Sequence, residues 1–272
     1  NMKKLMTLNE KIVNMLGLEQ QPRQTDLATL LNGKLRLLSK WRSTLIQNTI
    51  LQKEGATVSD GPFKGMQFIE SSAEGCHVAK LIGCYEQPLH KIVDEITAKG
   101  YENVINIGCA EGYYAVGIAL KNPNVKVHAY DLDEKARTSC ASLAEKNGVK
   151  DQIQIGAEFS ASELVQYRGS KTLIFCDIEG AEEALFTPET VELTRHFDLV
   201  IESHECLVHG ITDTLKTRFS KTHVIQQIDD DGMRSFSNLP NWFSALNHLD
   251  QLLAVWEWRS GPTPWLVLRS KL

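Results

Sequence analysis

Seven short apolar runs follow one another between residues 104 and 268, and they limit the possible folds more than any other feature of the chain. Stretches with helical periodicity or turn residues separate them. Short runs that are apolar on both faces are typical of strands in a parallel sheet covered by helices on each side. The sequence therefore predicts a doubly wound α/β domain. The predicted strands are residues 104–107, 125–130, 153–155, 173–176, 199–201, 224–228 and 265–268.

The residues before this sheet are predicted to be mostly helical. Leucine, isoleucine and tryptophan recur at spacings of three, four and seven between residues 27 and 46, which draws an apolar stripe along a helix, and an earlier helix is predicted over residues 5–16. We expect three parts: an N-terminal helical region over residues 1–60, a lead-in strand (66–69) with helices over 61–100, and the sheet domain over 101–272. The apolar stripe of the helix over residues 27–46 would pack against the main domain or against a second copy of the chain in a homodimer.

The composition of the chain excludes several classes of protein function. The 272 residues include 34 acidic and 29 basic side chains, a formal charge of −5, whereas a chain that holds nucleic acid needs clustered lysine and arginine. The acidic balance therefore argues against a nucleic-acid partner. We find no apolar run of membrane-spanning length and no secretory leader, so no membrane partner is expected. Six scattered cysteines without CxxC spacing are typical of reduced thiols. These features predict a cytoplasmic enzyme.

The turn after the first strand has the features of a nucleotide-binding loop. Gly108 and Gly112 can adopt positive φ and bring backbone amides close to a ligand, next to the start of a helix. Ala110 stands where the dinucleotide fingerprint has its second glycine, which argues against a pyrophosphate and hence against NAD. The alternative is a tight turn that binds no ligand.

The second predicted strand ends at an acidic residue. Asp131 lies 23 positions after Gly108, where a carboxylate can accept hydrogen bonds from both ribose hydroxyls of a nucleotide. Its alternative role is that of an N-cap for the next helix, for which Asp133 is the better candidate. We therefore predict that Asp131 binds ribose.

Four segments resemble the S-adenosylmethionine-dependent methyltransferases of the FkbM type: NIGCAEGYYAVG from residue 106, AYDLDE from 129, CDIEGAE from 176, and the lead-in GPFKGMQF from 61. The resemblance covers about residues 100–230. It implies a class I Rossmann-like fold whose seventh strand is antiparallel, with S-adenosyl-L-methionine lying across the ends of the first two strands.

The resemblance also implies roles for individual residues. Gly108, Ala110 and Gly112 would line the methionine and ribose side of the cofactor, and the loop after the third strand, with Glu158 and Phe159, would lie beside adenine. The chain departs from the family at Asn106, where an acidic residue is usual. Its amide oxygen can still accept one hydrogen bond from the cofactor's ammonium group. Asp131 would hold the ribose.

Catalytic candidates follow the fourth and fifth strands. If these strands are neighbours, Asp177, Glu179, Glu202 and His204 converge beside the methyl group. Methyl transfer to a hydroxyl needs a group that removes the proton, and the catalytic candidates for this are His204, Asp177 and Glu202. Alternatively, a divalent metal such as Mg²⁺, held by all four side chains, would lower the pKa of the hydroxyl. Asp177 is also a cofactor-binding candidate. His204 could instead be a structural histidine, and His209, in a predicted loop, is a secondary base candidate.

Two further features leave alternatives open. Glu182 is interpreted either as part of the acidic set or as the negative first turn of a helix. Four of the five tryptophans lie between residues 242 and 265, where they predict core packing or an aromatic wall over an acceptor pocket.

The sequence as a whole predicts an O-methyltransferase acting on a small molecule, sugar or natural product. The alternatives are N- or C-methylation of a peptide, or an inactive cofactor-binding partner.

Overall fold

The computed structural model describes residue 17 and residues 26–70, 76–236 and 239–272. The chain divides into two compact units, Asn1–Arg42 and Ser43–Leu272. Helix α1, Leu27–Glu54, begins in the first unit and ends in the second. Several large apolar side chains on this helix are exposed, among them Leu35, Leu37 and Trp41. The helix predicted over residues 5–16 lies outside the described residues.

All seven predicted apolar runs are strands of one sheet, in the order β3-β2-β1-β4-β5-β7-β6. Strands β1 to β5 are parallel, and β7 runs antiparallel between β5 and β6. This is the Rossmann-like arrangement that the resemblance implies, so the predicted fold is confirmed. The strands are β1 Asn103–Ile107, β2 Lys126–Tyr130, β3 Ile153–Gly156, β4 Thr172–Cys176, β5 Asp198–Glu202, β6 His223–Ile228 and β7 Trp265–Ser270.

Helices connect the strands, and the described residues also form three short 3₁₀ helices, Gln87–Leu89, Lys150–Gln152 and Ala161–Tyr167. None of the helices in the described ranges is long and apolar enough to cross a bilayer. The α-helices after α1 are α2 His77–Ile82, α3 His90–Ala98, α4 Tyr113–Lys121, α5 Glu134–Lys146, α6 Glu182–Leu185, α7 Pro188–Leu193, α8 Ile211–Phe219, α9 Asn241–Ser244 and α10 His248–Val255.

The predicted lead-in strand over residues 66–69 is wrong. Gln67 makes only one antiparallel bridge, with Thr57. Gly65 donates to the Val58 carbonyl, and Phe68 to the Ala56 carbonyl, so this segment folds back on the residues just before it. It therefore forms a local hairpin-like turn and does not pair with the main sheet.

Apolar side chains cover both faces of the sheet. Successive residues of a strand point to opposite faces, and Val104 and Ile105 accordingly belong to two different buried clusters. The cluster around Val104 includes side chains of α2 to α5, and the cluster around Ile105 includes side chains of α7 and α8. Because both faces are closed, a ligand can reach the strands only at their ends, where the polar candidates lie.

Candidate active site

A cavity of about 440 Å³ lies at the carboxyl ends of β1 to β4. Its volume is in the range of about 300–1,000 Å³ that small-molecule sites occupy. Five residues predicted to bind cofactor line it: Gly108, Asp131, Glu158, Phe159 and Asp177. Three other predicted residues, Asn106, Ala110 and Gly112, belong to the adjoining β1–α4 segment and are not among the lining residues.

The β1–α4 loop passes very close to the end of β4. Gly108 has φ +77°, and a Cβ atom there would lie 1.6 Å from the carbonyl oxygen of Asp177, so no other residue fits. Ala110 also has a positive φ, 47°, which is strained for a residue with a side chain. The amide of Ala110 donates to Asp131 Oδ2 at 2.9 Å, which ties the loop to the end of β2.

Asp133 has the capping role that the sequence predicts for it, and Asp131 does not cap the helix. Asp133 is the N-cap of α5 and accepts a hydrogen bond from the Lys135 amide at 3.0 Å. Asp131 accepts one amide on each oxygen, from Ala110 and from Asp133, both at 2.9 Å. A carboxylate oxygen has two lone pairs, so each oxygen of Asp131 can accept one more donor from the cavity.

Asn106 leaves a buried acceptor unused. Its side chain is 2% exposed, and its Nδ2 donates to the Phe175 carbonyl at 3.3 Å. Its Oδ1 has no hydrogen-bond partner among the described residues. An unsatisfied buried acceptor costs about 1–3 kcal/mol, so a ligand that brings a donor to this atom would be favoured. The ammonium group expected for the cofactor is such a donor.

His204 lies at the centre of a group of carboxylates, as the sequence predicted for neighbouring strands. Its Nε2 is 3.4 Å from Glu179 Oε2, 3.5 Å from Asp177 Oδ1 and 4.0 Å from Glu202 Oε2. The side chain of His204 is only 5% exposed, whereas that of Glu179 is 76% exposed. The group therefore opens to solvent on the Glu179 side.

Glu182 fixes the orientation of His204. Its Oε1 accepts from His204 Nδ1 at 2.7 Å and from the amides of Ile178 and Gly180 at 3.3 and 3.2 Å. Because Oε1 of Glu182 accepts two amide hydrogens, it also accepts from Nδ1, so Nδ1 carries a hydrogen and the lone pair of neutral His204 is on Nε2. Glu182 is fully buried and is the first residue of α6, so both sequence interpretations of it hold in part.

The charges around His204 favour its protonated form. Burial by itself lowers the pKa of His204, but the hydrogen bond to Glu182 and the charges of Glu202, Glu182 and Glu179 outweigh it and raise the pKa above its ordinary value. His204 is thus a stronger base than a free histidine.

Three of the four predicted metal ligands come together. Asp177, Glu179 and His204 each offer one ligand atom, and these atoms lie within 4.8 Å of one another. Glu202 is not in this group, and its Oε1 bonds to Arg259. His209 is fully exposed, and its Nδ1 lies 3.3 Å from Glu205 Oε1.

A buried network of charges, which the sequence did not indicate, adjoins the cluster through Glu202. Arg259 bonds to Glu202, to Glu86 at 2.8 Å and to Glu257 at 3.2 Å. Arg234 bonds to Glu257 at 2.5 Å. Burial and then the charge of Glu202 raise the pKa of Glu86 to about 8. No short motif could reveal this network, since Glu86 and Arg259 are 173 positions apart.

No known protein-family profile matches the chain, and no curated protein matches it. Several solved structures are similar to the chain. The O-methyltransferase TomG from Streptomyces achromogenes, involved in tomaymycin synthesis and crystallised with S-adenosylmethionine, is 13% identical over 70% of this chain and 81% of its own, with a TM-score of 0.47. An O-methyltransferase from Bacillus cereus in complex with S-adenosylhomocysteine is 11% identical over 96% of this chain and 97% of its own, with a TM-score of 0.44.

Proposed function

We propose that this chain is an S-adenosylmethionine-dependent O-methyltransferase of the FkbM type that acts on a small molecule, sugar or natural product. The single observation that carries the proposal is His204, held by Glu182 with Nε2 directed at Asp177, a lining residue of the cavity at the strand ends. The DIEGAE segment that supplies Asp177 and Glu182 supports the FkbM assignment. Binding of S-adenosylhomocysteine measured by calorimetry, followed by a search for methylated acceptors, tests it.

The residues around the cavity fit S-adenosylmethionine, which when bound supplies a methyl group activated by a sulfonium. Asp131 has acceptor capacity for the ribose hydroxyls, and Glu158 and Phe159 line the part of the cavity assigned to adenine. Asn106 Oδ1 would accept from the ammonium group. Gly108 keeps the loop close enough to Asp177 for one ligand to touch both strand ends.

His204 would act as the general base. In-line methyl transfer requires an acceptor oxygen aligned with the methyl carbon and relieved of its proton as the bond forms. The Nε2 lone pair can take that proton, and Glu182 stabilises the imidazolium that results. Asp177 and Glu202, on the Nε2 side of His204, would help to align the hydroxyl.

A divalent metal is a second route to the same activation. Asp177, Glu179 and His204 would hold it, and the bound ion would lower the pKa of an acceptor hydroxyl. Two carboxylates favour Mg²⁺ or Mn²⁺, and the imidazole shifts the preference toward Mn²⁺. Glu182 would then orient a ligand histidine, an arrangement common around metals in proteins.

Asp131→Ala should weaken S-adenosylhomocysteine binding about 10- to 100-fold, because two hydrogen bonds to a charged group are lost. Asp133→Ala is the matched control, since it removes a neighbouring carboxylate that caps α5. It should cost about 1 kcal/mol of stability and leave cofactor affinity unchanged. Calorimetry on both variants measures the difference, and equal affinity of Asp131→Ala and wild type would remove Asp131 from the site.

Glu182→Gln should move the acidic limb of the rate–pH profile to lower pH. The base works when neutral, so the rate rises with pH through the pKa of His204, which Glu182 raises. Glutamine can still accept from Nδ1 but carries no charge, and the pKa falls. Glu183→Gln, one residue along α6 and bound to Arg218, is the control and should leave the limb in place. An unshifted limb in Glu182→Gln would contradict the role of Glu182.

A further inference from the structure

A buried lysine and a buried glutamate form an ion pair at the loop that follows β1. Lys80 lies on α2 and Glu111 on the β1–α4 loop, and their side chains are 3% and 0% exposed. Lys80 Nζ donates to Glu111 Oε1 at 2.5 Å. A buried ion pair contributes little net stability, because both charges lose their hydration. Its presence at this loop is better explained by an effect on the conformation of the loop.

Lys80 is carried by a helix that packs closely against the chain before it. The Ser59 amide donates to the Leu81 carbonyl at 2.8 Å. A Cβ atom on Gly83, which ends α2, would lie 2.0 Å from the carbonyl oxygen of Asp60, so the two backbones are in direct contact. Lys80 therefore projects from a fixed backbone and can act as an anchor.

A buried histidine one turn before Lys80 does not share this role. His77 is 3% exposed, and neither of its ring nitrogens has a hydrogen-bond partner among the described residues. Burial lowers the pKa of His77 to about 4, so the imidazole is neutral near pH 7. The positive charge bonded to Glu111 is that of Lys80.

The loop that carries Glu111 is strained at the residue just before it. Ala110 has φ 47°, a left-handed conformation that a residue with a side chain keeps only where its surroundings enforce it. On one side, the amide of Ala110 donates to Asp131 Oδ2 at 2.9 Å. On the other side, Glu111 is bonded to Lys80. The strained residue is thus held from both directions.

We propose that Lys80 and Glu111 are positioning residues for the cofactor. The ion pair keeps Ala110 in its left-handed conformation, so the Ala110 amide stays on Asp131 and the remaining lone pairs of Asp131 stay directed at the ribose hydroxyls. Lys80 thereby contributes to cofactor affinity although it does not line the cavity. This inference rests on the proposed function, because it concerns the site assigned to S-adenosylmethionine.

Lys80→Met tests the inference in the full chain. It should weaken S-adenosylhomocysteine binding about tenfold in calorimetry, because the strained loop is released on one side. Lys99→Met is the matched control, since Lys99 also pairs with a largely buried carboxylate, that of Asp198, but at the amino end of β5, away from the cavity. The control should lower stability in urea and leave affinity unchanged. Wild-type affinity in Lys80→Met, or an equal loss in the control, overturns the inference.

The double variant Lys80→Met/Glu111→Met separates positioning from stability. Replacing both partners by apolar side chains should recover most of the stability that is lost when one charge is left alone. We expect affinity for S-adenosylhomocysteine to stay about tenfold below wild type. A pair that only stabilised the fold would regain affinity together with stability, and that result overturns the inference.

Glu111→Gln is the mildest change of shape and keeps an acceptor for Lys80. It should weaken S-adenosylhomocysteine binding about threefold, because the charge that strengthens the bond to Lys80 is lost. Unchanged affinity in this variant overturns the inference even if the methionine variants do not fold.

Hydrogen exchange of the ligand-free chain tests the hold on the loop without the cofactor. In Lys80→Met and Glu111→Gln, the amides of residues 108–112 should exchange faster than in wild type and in Lys99→Met, because the loop opens more often. Unchanged exchange overturns the inference. A wild-type chain that binds no S-adenosylhomocysteine would overturn the proposed function, whereas faster exchange in the variants would still support the hold of the ion pair on the loop.

Discussion

Replacing His204 with alanine is expected to slow methyl transfer by about 10²- to 10⁴-fold, the usual contribution of a general base. Affinity for S-adenosylhomocysteine should remain close to that of wild type, since His204 does not line the cofactor cavity. Turnover is measured as S-adenosylhomocysteine release with any acceptor that the wild-type chain methylates. A large loss in rate with little loss of S-adenosylhomocysteine affinity distinguishes a catalytic base from a residue that only stabilises the fold.

His196→Ala is the matched control for this experiment, because His196 is an exposed histidine at the end of the loop before β5. It should have no effect on rate. The same assay in a chelator separates the two routes to an activated hydroxyl. Activity that disappears with chelator and returns with Mn²⁺ or Mg²⁺ makes His204 a metal ligand, whereas activity that is unaffected leaves it as the base. Unchanged turnover in His204→Ala would exclude both roles.

The second large effect is expected for Arg259→Met, which should lower the free energy of unfolding by about 3–5 kcal/mol. The substitution leaves the charges of Glu202 and Glu257 buried and only partly compensated. Removing one partner of a buried ionic group is costly because the remaining charges cannot recover their hydration. Urea unfolding followed by tryptophan fluorescence measures the change.

Arg195→Met serves as the comparison for this prediction. Arg195 pairs with Glu192 on the surface, and both side chains are about half exposed. Its loss should change stability by no more than about 0.5 kcal/mol. If Arg259→Met were as mild as Arg195→Met, the network would not be a strongly coupled unit. Adding Glu202→Gln to Arg259→Met should recover part of the loss, because one uncompensated charge is then removed.

The strands of the sheet could be predicted because each is a local apolar run, and local patterns are visible in a sequence, whereas their order in the sheet was not predicted. The same is true of Asp131, Asp177, Glu179 and His204, which directly follow strands. The prediction of a lead-in strand is wrong for a physical reason. Residues 66–69 are apolar enough to form a strand, but Gln67 pairs with Thr57, so the segment does not join the sheet.

Contacts between distant parts of the chain could not be predicted. Glu182 sits only five residues after Asp177, yet its partner His204 comes from the next strand, so its orienting role depends on how β4 and β5 lie together. The network joins Glu86, which precedes β1, to Glu257 and Arg259, which lie between α10 and β7. In neither case does the spacing along the sequence carry the information.

The position of β7 has a consequence for how the chain becomes active during synthesis. This strand lies between β5 and β6 but is made after both, so the two older strands have no partner on their shared side until residues 265–270 emerge. Arg259 emerges only shortly before, and until then Glu86 and Glu202 lack the cation that pairs with them. The nascent chain can therefore pair β3, β2, β1, β4 and β5 early, while the pairing of β6 with the sheet is completed last.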